Sequence, residues 1–231
     1  AEGAFRVEES DARPLKSGIR LAGIGGLGVL ALAVMGMGQP SPGEKWEIMA
    51  EDKDSLLADR LVQIHPGELI QVAANRSMKL TIMDVRSERD YNLFHLLDTR
   101  RVPLEDLAAG RLTKELLDEP PNSVIVLVSN DEAAATEGWK YLTGEGIMNL
   151  YILVGGINGC LDSFAGEGAC PGCRPLGTHG EGGEDVLRWS FEAALGANRP
   201  IANPDLFRDK SFFFVQKVKL EVKARPAGGC G

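Results

Sequence analysis

The residues best suited to chemistry are four cysteines, all at or beyond position 160: Cys160, the pair Cys170-Pro-Gly-Cys173, and Cys230. Four thiolates suit a zinc site or an iron–sulfur cluster, but only one C-x-x-C pair is present where a strong metal signature has two. Two disulfides fit the same residues with three connectivities open, and free thiols are the remaining state. No C-x-x-C-H occurs, which excludes covalent haem attachment by motif. A second candidate is Ser129, which follows the apolar run Val124–Val128 and opens the segment Ser129-Asn130-Asp131-Glu132-Ala133-Ala134. A nucleophilic serine needs a base in hydrogen-bond reach and a group to orient that base. Only His65, His95 and His179 offer imidazole, so little supports hydrolysis.

The elements that must position these residues follow an alternating order. Ile64-His-Pro-Gly-Glu-Leu-Ile70 reads as a capped helix start, and Lys79–Val85 as a buried strand leading into Arg86-Ser-Glu-Arg-Asp-Tyr91. Val124–Val128 is a second apolar strand, Ala133–Leu142 a helix, and Asn149–Val154 a third strand that meets Gly155-Gly156. Strand, helix, strand, helix, strand implies a parallel sheet covered on both faces. Asp84-Val85-Arg86, His95, Pro103-Leu104, the strand at 124–128 and Gly155-Gly156 occur in that order, and over residues 61–165 the sequence resembles the rhodanese-like family. The fold this implies is α/β, a rhodanese-like parallel sheet with helices on both faces.

The resemblance also implies a chemistry that this chain departs from. The family carries a nucleophilic cysteine directly after the second of these strands, on a loop of backbone N–H groups that stabilises a thiolate and its persulfide. Here that position is Ser129, whose hydroxyl neither carries a sulfane sulfur nor ionises near neutral pH. Asp131 and Glu132 bring two negative charges to a loop that in the family binds an anion, and Ala134 stands where an arginine often helps hold it. The glycine-alanine step expected after the histidine is Asp98-Thr99. His95 falls at the family's structural histidine. The expectation is a degenerate domain without sulfurtransferase activity.

Composition allows one domain with attachments. With 231 residues and 44% hydrophobic content the chain can bury a full core, and a net charge of −8 without a basic cluster gives no nucleic-acid footprint. Residues 21–43 carry no charge, and Leu21–Met37 is near the length that crosses a hydrocarbon core, so 18–39 is expected to be a single transmembrane helix. A cleaved secretory signal is the rival reading, but no Ala-x-Ala-like site follows Met37. Arg6, Arg13, Lys16 and Arg20 precede the segment. Only Lys45 and Lys53 follow it closely, among five acidic residues, which places residues 1–17 in the cytoplasm and the main domain on the periplasmic side of a bacterial inner membrane. Gly18, Ala22, Gly25 and Gly26 are spaced for close packing against another membrane helix. Trp46, Met49, Leu56, Leu57 and Leu61 recur at helical spacing, so 40–60 reads as an amphipathic connector, either lying on the membrane or packed.

Residues 166–231 form a glycine-rich, loop-rich extension. Asp185–Leu195 is expected to be a short helix, and Ser211–Val222 a half-exposed strand. The sequence therefore points to a membrane-anchored, non-catalytic binding or scaffold module, an accessory subunit of a larger membrane complex. Its expected partners are other membrane-protein subunits and the bilayer itself, with no cofactor and no nucleic acid. The alternatives are a sulfur relay in which Cys230 carries the persulfide, and a metal or redox protein that uses the four cysteines for zinc or an iron–sulfur cluster.

Overall fold

Six consecutive residues of the run Ser123–Val128 are all buried, which requires a strand covered on both faces, and this strand is the centre of the fold. The computed structural model describes residues 40–164, 172–176, 185–194 and 213–220. In chain order the elements are α1 (Pro42–Ala58), β1 (Gln63–Ile64), α2 (Pro66–Ala74), β2 (Lys79–Asp84), α3 (Glu88–Leu93), β3 (Thr99–Arg101), α4 (Leu104–Ala108) and α5 (Thr113–Leu117). They continue with β4 (Ser123–Val128), α6 (Ala133–Gly144), β5 (Leu150–Leu153), α7 (Gly156–Phe164), β6 (Cys173–Pro175) and β7 (Trp189–Phe191). The main sheet has the order β1-β5-β4-β2-β3, and every pairing in it is parallel.

Side-chain alternation along β4 divides the core into two layers. Val124, Val126 and Val128 face Ile64, Leu69, Leu153, Leu161 and Phe164, the layer covered by α2 and α7. Ile125 and Leu127 face Met83, Leu107, Trp139 and Leu142, the layer covered by α4 and α6. The expected parallel sheet between helices is therefore present.

Residues expected as a connector form α1, a packed helix. Ser41 caps it: its hydroxyl accepts from Glu44 N at 3.3 Å, and the Glu44 carboxylate accepts from Ser41 N at 2.7 Å. Trp46 is buried edge-on against Trp139, with centroids 5.5 Å apart, and Lys45 pairs with Glu145 at 2.8 Å. Gly144 permits the close approach of α1 to α6, because a Cβ there would lie 2.6 Å from Pro42 O and 3.0 Å from Trp46 N.

The extension differs from expectation. Residues 185–188 are extended rather than helical and lead into β7, which pairs antiparallel with β6. Leu187 and Trp189 both point into the first core layer, and Phe191 stacks on Phe94 with centroids 5.5 Å apart. That is the period of a strand, and Asn158 fixes it from the domain side by donating to Val186 O at 2.9 Å and accepting from Arg188 N at 2.8 Å. Residues 213–220 form neither a helix nor a ladder-paired strand. Glu68 instead accepts from both Lys217 N and Val218 N at 2.7 Å. The segment 18–39, with Gly18, Ala22, Gly25 and Gly26, lies outside the described residues, and among those described no helix is long and apolar enough to cross a membrane.

The α1–α6 contact gives a direct test. Gly144→Ala places a methyl group against two backbone atoms that cannot rotate away, and overpacking of this kind costs about 1–3 kcal/mol. Urea denaturation should show a lower midpoint with an unchanged slope.

Candidate functional site at the head of helix α6

The site begins at the carboxyl end of β2, where Asp84-Val85-Arg86 turns out of the sheet. Asp84 and Arg86 have no exposed side-chain surface. The Arg86 guanidinium donates to the Asp84 carboxylate through Nε at 2.9 Å and Nη2 at 2.6 Å, and reaches Phe94 O at 2.7 Å and Asn130 Oδ1 at 3.2 Å. Buried charge is tolerated because every contact is a charge-assisted hydrogen bond. His95, the expected structural histidine, is buried, donates from Nδ1 to Tyr91 O at 2.8 Å and stacks on the Tyr91 ring.

Beside Arg86 lies the loop between β4 and α6. Ser129 is fully buried, and its hydroxyl accepts from Ala135 N at 3.2 Å. Among the described residues no histidine is hydrogen-bonded to it, so no Ser–His pair forms. Asn130 is held at all its side-chain positions, by Arg86 at Oδ1 and by donating from Nδ2 to Asp90 Oδ2 at 3.0 Å and Asp185 O at 2.9 Å. Of the two acidic residues only Glu132 is ion-paired among the described residues: it turns away to Arg60 at 2.8 Å and to Gly155 N at 2.9 Å, while Asp131 accepts from Ala133 N at 2.7 Å. Ala133 and Ala134 begin α6 and supply no side chain that could hold an anion.

The carboxylate that occupies the loop comes from the extension. Asp185 Oδ1 accepts from Asp131 N at 2.9 Å, so an oxygen of this same chain satisfies an N–H of the kind that binds an anion at a helix head. Behind the loop, Ile157 N and Asn158 N at the start of α7 donate to Ser129 O and Asn130 O at 2.9 and 3.0 Å. Gly156, at a φ of +56°, makes that contact feasible, since a Cβ there would lie 2.2 Å from Asp131 O. Sequence reasoning found Gly155-Gly156 and the 129–134 loop but missed Asp185, Asn158 and Arg60. No local pattern marks these three, and their roles come from partners 54, 30 and 72 residues away.

The cysteines are not gathered at this site. Cys160 is a free thiol in the first core layer, where burial pushes its pKa up to about 12, so it is neither a thiolate nor a bridge to Cys173. Cys173 is disulfide-bonded, whereas Cys170 and Cys230 lie outside the described residues. Among the described residues no three His, Cys, Asp or Glu side chains converge as a metal site.

The rhodanese-like domain family matches residues 66–162, which spans β2 to β5, the Asp84–Arg86 pair and the 129–134 loop. This part of the chain is a rhodanese-like domain with the α/β fold of that family. Solved structures similar to it include a rhodanese-like domain protein from Staphylococcus aureus, 18% identical over 42% of this chain and 88% of that one, with a TM-score of 0.34. A rhodanese-like domain from Anabaena is 21% identical over 42% of this chain and 70% of that one, with a TM-score of 0.36. A full-length protein from Lactobacillus plantarum is 18% identical over 50% and 94%, with a TM-score of 0.38. No curated protein matches the chain.

Asp185 makes the seating of the extension depend on pH. Burial, reinforced by the neighbouring Asp131 carboxylate, pushes its carboxyl up to about 6 from an ordinary value of 3.8. The folded state therefore holds this proton more tightly than the unfolded chain does, and the stabilisation is lost as pH rises through about 6. The exchange protection factor of the Arg188 amide should be larger at pH 5 than at pH 7.5. Asp185→Asn should make the two nearly equal.

Proposed function

We propose that this chain is a membrane-anchored binding module, built on a rhodanese-like domain that has given up sulfur transfer and serving as an accessory subunit of a membrane protein complex. The observation that carries the reading is the state of the loop. Ser129 occupies the nucleophile position with its hydroxyl turned onto Ala135 N, and Asp185 sits on the Asp131 N–H where a substrate anion would otherwise approach. A thiosulfate ion would have to displace a carboxylate of the protein from a loop whose two neighbouring guanidiniums, Arg86 and Arg60, are committed to Asp84 and Glu132. The alanines at 133 and 134 offer it nothing in exchange.

Three features support attachment over turnover. The uncharged segment 18–39 has the length of a membrane span, with a positive flank that puts residues 40–231 on the periplasmic side. The Cys173 disulfide suits an oxidising compartment. Phe213 is 99% exposed, apolar surface of the sort that partner subunits cover.

The purified protein should release thiocyanate from thiosulfate and cyanide no faster than a protein-free blank. Ser129→Cys should stay at that level, because Asp185 still fills the loop. Turnover by the wild-type protein would overturn the loss of catalysis, and strong turnover by Ser129→Cys would show that the loop remains open to anions. Extraction in mild detergent should bring the chain out in a complex of defined composition, and recovery as a lone chain would remove the accessory-subunit reading.

A further inference from the structure

Residues of α1, of the stretch 139–151 and of 213–220 together line a groove of about 630 Å³. Its floor is apolar: Val62, Trp139, Ile147 and Leu150 lie at the base, all buried. Leu56 on α1 and Val215 on the extension also line it, with Thr143, Asn149, Tyr151 and Gln216 as polar neighbours. A volume in the range of roughly 300–1,000 Å³ that joins an apolar floor to a few polar positions is that of a small-ligand site.

The rim has a different character. Lys53, Lys217 and Lys219 line it, and no Asp or Glu does so among the described residues, although the whole chain carries a net charge of −8. Lys217 is fixed in place, donating from Nζ to Arg60 O at 2.6 Å and Gln63 O at 2.9 Å. Lys53 and Lys219 form no ion pair among the described residues. Two ammonium groups outside any ion pair among the described residues and a third fixed on backbone carbonyls, all lining a groove with an apolar floor, complement a negative group joined to a hydrocarbon tail. Lysine stems can lie along the apolar wall while their heads meet the anion.

We propose that this groove binds an acyl chain with an anionic head group, the tail lying between Leu56 and Val215 and the head at Lys53 and Lys219. A free fatty acid and an anionic phospholipid share this chemistry. Neither the degenerate loop nor the loss of sulfur transfer enters the argument, so the groove stands or falls on its own.

The test uses the full-length protein in phosphatidylcholine nanodiscs with two photoreactive probes, palmitate with a diazirine in its chain and phosphatidylglycerol esterified with the same acid. Cross-linked peptides are mapped by mass spectrometry. Labelling at Met49, Leu56 or Met148 is expected, and Lys53→Glu/Lys219→Glu should reduce it at least tenfold while leaving the circular dichroism spectrum unchanged. Labelling by palmitate alone identifies a free fatty acid as the ligand, and labelling by phosphatidylglycerol identifies a lipid that enters from the bilayer. The proposal is overturned if labelling is confined to residues 1–39, or if the double charge reversal leaves groove labelling as it was. A hexadecyl trimethylammonium competitor that displaces the probes as well as unlabelled palmitate does would equally overturn the anionic head.

Discussion

The buried pair Asp84–Arg86 is the interaction on which the rest of the site depends. Both side chains are withdrawn from water, and removing one partner from such a pair costs about 3–5 kcal/mol because the other charge is left bare. The guanidinium does more than neutralise Asp84. It fixes the end of α3 through Phe94 O and the loop after β4 through Asn130. Asn130 then passes that order outward, to Asp90 on one side and to the backbone of Asp185 on the other. A chain of hydrogen bonds thus runs from the carboxyl end of β2 to the extension, through Arg86 and Asn130.

This hierarchy sets the path of the loop after β4. Its contacts are the α7 amides on Ser129 O and Asn130 O, the close approach at Gly156, and the anchor at Arg86. On this path the N–H groups at the head of α6 need acceptors. Asp185 and the side chains of Ser129 and Asp131 provide them.

Those parts of the fold that rest on short-range physics were legible in the sequence. The unbroken run at 123–128 declares a strand buried on both faces, His65-Pro66 declares a helix start, and Gly155-Gly156 declares a backbone that must pass close to another. Residues 185–191 were misread because Val186, Leu187 and Phe191 fit a helical period while Leu187, Trp189 and Phe191 fit a strand period equally well. What decides between the two is the amide of Asn158, which pairs with the backbone of the segment and cannot be foreseen from the segment itself. The Glu132 charge was misplaced for a similar reason, since its partner Arg60 lies in the turn after α1. Where tertiary contacts choose between two locally acceptable conformations, the pattern of one segment holds too little information.

Glu68 ties the beginning of the domain to its far end. Its carboxylate, almost fully buried at 1% exposure in the first turn of α2, takes both of its hydrogen bonds from the backbone of residues 149 and 150 positions later. A ribosome emits residue 68 long before residue 217, so during synthesis this carboxylate is without these two donors. Closing so long a loop is entropically slow compared with forming any helix or local strand pair. A chain cut before residue 217 would leave the Glu68 carboxylate without these two donors and take Val218 out of the core layer it packs in.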